Sequence, residues 1–121
     1  MRKFGLMVLL TLGLASCSAS GYHKISAEKA KSMMDEGSVI ILDVRTLEEY
    51  NEGHILGALL LPNESIGSTQ PSLLPDKDAV ILVYCRSGNR SKQASDKLVK
   101  MGYTKVYDFG GIIDWPYGVT Q

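Results

Sequence analysis

The chain has 121 residues, 45% of them apolar, which is enough for one packed domain and too few for two. Its 13 basic residues balance 13 acidic ones; without Arg2 and Lys3 of the N-terminal leader, 11 face 13, a net of −2. With no basic run anywhere, a nucleic-acid footprint is excluded.

In chain order the leader comes first. Met1-Arg2-Lys3 is a basic start, and residues 4–14 are mostly apolar. Eleven residues are too few to span a bilayer, which takes about 20, so the pattern reads as an export signal. Its end, Leu14-Ala15-Ser16-Cys17, resembles a bacterial lipoprotein signal. That resemblance implies a signal peptide over 1–16, lipid on Cys17, a tether over 17–21 and a domain over 22–121. Each buried methylene contributes about 0.8 kcal/mol, so several acyl chains on one residue make a stable membrane anchor. Ser18 permits an outer-membrane address in enterobacteria-like cells. The expected location is therefore exported and lipid-anchored to a bacterial membrane, facing the periplasm or the exterior. The other reading is an ordinary secretory signal cleaved near Ala19, giving a soluble exported protein.

The domain alternates strand and helix signals. Residues 22–25 read as a short edge strand. Ser26 is placed to cap a helix through Met34 that stops at Gly37, with Glu28 favourable in its first turn. Residues 39–44 are a continuous apolar run, as in a parallel strand covered on both faces. Thr46 and Glu49 have capping-box spacing and open a short helix through about Tyr50. Gly53 to Gly57 turn the chain, residues 58–61 read as a buried strand closed by Pro62, and residues 63–78 hold a short helix around Ser72–Leu74. Residues 79–84 form the central strand. A helix from about Ser91 to Met101, apolar at Ala94, Leu98 and Met101, ends at Gly102. Residues 105–107 are a last short strand, and 110–115 a final turn or short helix. Alternation of this kind predicts an α/β fold with a mainly parallel central sheet flanked by helices, its ligands beyond the carboxyl ends of the strands.

Cys85 lies at such an end, followed by Arg86-Ser87-Gly88-Asn89-Arg90-Ser91 and then the helix. Unpaired N–H groups at a helix start, with Arg86 and Arg90 close by, favour a thiolate and cradle an anion. An inert buried cysteine is the alternative. With Cys17 lipidated, Cys85 is the one thiol of the mature chain, so no internal disulfide forms and the thiol stands out as reactive. There is no CxxC pair, and His23 and His54 lack ligand spacing to each other or to Cys85. No metal and no cofactor is expected.

Four motifs in order and spacing carry a resemblance: Asp43-Val44-Arg45; Glu49-Tyr50-x-x-Gly53-His54-Ile55-x-Gly57-Ala58; Cys85-Arg86-Ser87-Gly88-Asn89-Arg90-Ser91; and Gly110-Gly111-x-x-x-Trp115. From about Tyr22 to Trp115 the chain resembles the rhodanese family. The resemblance implies a single rhodanese domain, a monomer, working as a sulfurtransferase. Cys85 would take a sulfane sulfur from a small anionic donor such as thiosulfate, form a persulfide, and pass the sulfur to cyanide or a thiol. Arg86, Ser87, Gly88, Asn89 and Arg90 would bind substrate: backbone N–H groups around the outer sulfur, guanidiniums attracting the donor. An ionised sulfur serves both half-reactions, attacking first and leaving second.

Cys85 to Arg90 is six residues counted inclusively. In the family that length goes with sulfur transfer, whereas related phosphatases and arsenate reductases carry one residue more. Oxyanion chemistry of that type, or a non-catalytic binding module, are the alternatives. Asp43 is expected to pair with Arg45 or cap nearby backbone, and Arg45 to form an ion pair with Asp43 or Glu49 rather than bind substrate. His54 reads as structural, since an ionised thiol needs no general base. Gly110, Gly111 and Trp115 are expected to pack the final turn near the loop, with Trp115 walling the pocket and Ser91 capping the helix. Six residues follow Trp115, and no second rhodanese domain or fused partner is expected.

Overall fold

The computed structural model describes residues 21–121; the export-signal and Cys17 readings lie outside them. The elements run β1 (Tyr22–Lys24), α1 (Ala27–Glu36), β2 (Ile40–Asp43), α2 (Leu47–Glu52), β3 (Leu59–Leu60), a 3₁₀ turn (Asn63–Ser65), β4 (Ile81–Cys85), α3 (Asn89–Lys100), β5 (Val106–Gly111) and a second 3₁₀ turn (Ile112–Asp114). All pairings are parallel, in the order β1-β5-β4-β2-β3. This is the expected α/β sheet flanked by helices.

All five residues of β4, the middle strand, are buried, which is why it reads as an unbroken apolar run. Alternation along the strand sends Ile81, Val83 and Cys85 to the face covered by Ala94 and Leu98 of α3. Leu82 and Tyr84 face the other way, toward Ala30 of α1, Ile55 and Phe109. Each fully buried aliphatic side chain of this kind contributes about 1.5–3 kcal/mol. The same alternation delivers Cys85 to the α3 side of the sheet, at the start of that helix.

Local signals hold at the helix ends. The Ser26 hydroxyl accepts the Lys29 N–H (3.0 Å), and Gly37 stops α1 at φ +85°. Thr46 and Glu49 form a complete capping box.

Four expectations change. Residues 58–61 do not make a buried strand: β3 is a two-residue edge strand with Leu59 40% exposed, because no strand lies beyond it. Between 63 and 78 the helical turn falls at Asn63–Ser65, while residues 72–74 make only a turn that buries Leu74. Pro71 and Pro75 bracket that turn and stop it from propagating. Finally, α3 begins at Asn89, two residues earlier than expected, and β5 extends through Gly111.

Candidate active site at the carboxyl end of the central strand

Gly88 sets the geometry of the loop. Its φ of +112° lies in the left-handed region that glycine adopts without a steric penalty, so the chain turns straight from β4 into α3. Its N–H points back and donates to Cys85 Sγ at 3.0 Å. Its carbonyl accepts the Ser91 hydroxyl (3.0 Å) and the Lys92 N–H (3.3 Å). Ser91 is therefore a buried member of the first turn, not the cap expected of it. The N–H groups of Asn89, Arg90 and Ser91 open the helix and have no acceptor within it. They are the donors an anion-binding cradle requires.

Cys85 is only 1% exposed. Burial is what an inert core cysteine shows; the amide aimed at its sulfur is what such a cysteine lacks. A buried sulfur that accepts an N–H bond at a helix start is poised to hold negative charge on a second, outward sulfur atom.

The two glycines of β5 shape the loop from below. Between Val83↔Asp108 and Cys85↔Gly111, β5 spends three residues where β4 spends two, so it carries a bulge. Gly110 occupies the bulge at φ +88°, its N–H held by Asp108 Oδ1 (3.0 Å). The bulge brings Gly111 against the loop so closely that a Cβ there would meet the Arg86 carbonyl oxygen at 2.1 Å. Ile113 N–H donates to that same carbonyl (3.3 Å). The final turn thus packs under the loop as expected.

Trp115 does not wall the site. It packs on Phe109 and Tyr117, donates its indole N–H to the Gly118 carbonyl (3.1 Å), and lines a separate groove with Met34, Ile41, Ile55 and Tyr117.

The charged residues divide into two groups. Asp43, wholly buried, accepts from the Arg45 backbone N–H (2.9 Å) and side chain (2.7 Å at the closest) and from the Tyr84 hydroxyl (2.7 Å). Arg45 also donates to the Gly53 carbonyl (2.7 Å). Burial opposes the Arg45 charge, but the Asp43 hydrogen bonds and attraction outweigh it and raise its pKa above the usual guanidinium value. Burial likewise raises the Tyr84 phenol; the Ile55 amide relieves this in part and the Asp43 acceptor reinforces it. His54 is structural: Nδ1 is 2.8 Å from the Tyr50 carbonyl, the ring stacks on Tyr50, and its backbone bridges to Thr120.

The second group surrounds the loop. Arg90 forms a two-pronged ion pair with Glu49 (2.7 and 3.0 Å), a partner that no spacing in the chain points to. The Arg90 hydrogen bonds pull the Glu49 carboxyl down to about 2, against the opposing effect of burial. Arg86, Ser87 and Asn89 are exposed, and among the described residues no carboxylate reaches Arg86. Among the described residues no cluster of His, Cys, Asp and Glu is arranged to hold a metal.

Comparison with known proteins agrees with this geometry. The family model for the rhodanese-like domain matches residues 26–116. Thiosulfate sulfurtransferase PspE of Escherichia coli is 38% identical over 73 residues, covering 60% of this chain and 70% of that protein. A sulfurtransferase of Allochromatium vinosum is 40% identical over 95 residues, covering 77% and 87%. Among solved structures, a rhodanese with anions from E. coli superposes with a TM-score of 0.62 at 34% identity, covering 68% of this chain and 96% of that one. With the model spanning most of the chain and relatives matched along most of their own lengths, this protein belongs to the rhodanese-like family.

Proposed function

We propose that this protein is a sulfurtransferase in which Cys85 carries the transferred sulfur. The observation that carries the reading is the Gly88 amide on Sγ at 3.0 Å, at the mouth of three further amides that open α3. The Cys85 thiolate attacks the sulfane sulfur of thiosulfate; an S–S bond forms to Cys85 while the S–S bond to sulfite breaks, and sulfite leaves with the electron pair. Persulfide charge then rests on the outer sulfur, among the N–H groups of Gly88 to Ser91. Cyanide or a thiolate attacks that sulfur, thiocyanate or a new persulfide departs, and the Cys85 thiolate returns. Arg86, Ser87, Gly88, Asn89 and Arg90 supply the binding surface for the anionic donor, Arg90 through its backbone N–H at the helix start.

The six-residue loop supports this chemistry over phosphoryl or arsenate chemistry, and the sulfurtransferase names of the relatives point the same way. Steady-state thiocyanate formation from thiosulfate and cyanide tests it. Turnover by the wild type and none by Cys85→Ser is the expected result; hydrolysis of an aryl phosphate with no thiocyanate would replace the reading.

The leader supports export, with lipid on Cys17 anchoring the domain outside the cytoplasm. Fractionation of the expressing cell checks this: the mature protein should need detergent for extraction, and a fully soluble mature protein would remove the anchor.

A further inference from the structure

We propose that Glu49 is a positioning residue for the transfer reaction: it holds the Arg90 guanidinium to one side and leaves Arg86 as the cation that receives the anionic donor. The inference rests on the sulfur-transfer reading and adds a division of labour between two arginines that sequence alone treats alike.

Glu49 is itself held in place. Its Oε1 accepts the Thr46 N–H and hydroxyl (3.1 Å each) as well as Arg90 Nη1 (2.7 Å), and Oε2 accepts Arg90 Nη2 (3.0 Å). One carboxylate therefore caps α2 and clamps the first turn of α3, 41 residues away in sequence. With both outer nitrogens bound, the Arg90 charge is matched by a carboxylate before any donor arrives. The Cys85 sulfur, once ionised, and Glu64 on the neighbouring 3₁₀ turn are the further negative charges acting on Arg90, after Glu49 itself.

The other cations near the loop are spoken for as well. Lys92 is paired with Asp96 (2.7 Å) and Arg45 with Asp43 (2.7 Å). Arg86 is exposed and, among the described residues, within ion-pair distance of no carboxylate. A dianionic donor approaching the loop thus finds Arg86 as its side-chain charge not already matched by a carboxylate.

The test reads thiosulfate affinity by calorimetry on the full chain carrying Cys85→Ser, which stops the chemistry, at several salt concentrations. Adding Arg86→Gln should weaken binding by about tenfold or more and flatten its salt dependence. Adding Glu49→Gln keeps the side-chain shape but frees the Arg90 charge, so binding should tighten several-fold and become more salt-sensitive. A role confined to holding the fold would weaken binding instead. Removing the pair together, Glu49→Gln with Arg90→Gln, should weaken binding far less than Arg86→Gln, and this second variant applies should freeing Arg90 distort the loop. Weakening by Glu49→Gln, or equal losses from the paired removal and from Arg86→Gln, would overturn the proposal. Failure of the wild type to acquire sulfur while this affinity pattern holds would remove the transfer reading and leave the anion site standing.

Discussion

Two neighbouring parallel strands, β2 and β4, end side by side with Asp43 in register with Tyr84, yet their exits are built to opposite purposes. At the end of β2, Asp43, Arg45, Tyr84 and the Gly53 carbonyl use their polar groups on one another, and both charges are buried. At the end of β4 one amide, that of Gly88, points inward at a sulfur, and the helix-opening amides stay available. The closed exit has nothing left to offer a ligand. The open exit has donors but little to hold itself in shape, and borrows its shape from its surroundings: from Glu49 through Arg90, and from Gly111 pressed under Arg86. The lesson is that the motif residues of this fold separate into those that keep a frame and those that the frame keeps open.

Breaking the closed exit should produce the largest loss of stability. Asp43→Ala leaves Arg45 buried without its counter-ion and is expected to cost about 3–5 kcal/mol, measured by urea unfolding. A cost below about 1 kcal/mol would mean the network is not the frame described here. Disturbing the open exit should act on transfer more than on folding. Gly111→Ala drives a methyl into the Arg86 carbonyl, so the loop must shift; kcat/KM for sulfur transfer is expected to fall by about a hundredfold while stability falls by about 1–3 kcal/mol.

The smallest effect concerns the link between the exits. Glu49 in the folded protein titrates at about 2, below its ordinary value of 4.5. A folded pKa below the unfolded one means the pair adds stability above pH 4.5, and that this contribution is lost as pH falls through about 2. Carboxyl-carbon NMR from pH 7 to pH 4 should therefore show Glu49 ionised throughout, with the Arg90 contact intact. A Glu49 midpoint near 4.5 would cut the link between the two exits.

Much of the frame was legible because it is local. Ser26, the Thr46–Glu49 capping box, the Gly37 stop and the Asp43–Arg45 pair each join residues two or three positions apart, where spacing alone fixes who meets whom. The buried run of β4 and the cysteine at its end were legible because burial on both faces leaves a one-residue-type signature. What escaped depends on packing between distant segments. Glu49 meets Arg90 across 41 residues, and Trp115 joins Phe109 and the groove beside α1. Leu59 is apolar like the core, but the edge position of β3 leaves it exposed. The early start of α3 turned on the left-handed φ of Gly88, and a glycine in sequence does not say which way it turns.

Intact mass of the purified domain after incubation with thiosulfate addresses the central claim without a coupled assay. The wild type should become heavier by one sulfur atom, lose it on addition of cyanide, and show no gain as Cys85→Ser. A wild-type mass unchanged by thiosulfate, in protein that is folded and reduced, would show that Cys85 does not carry sulfur.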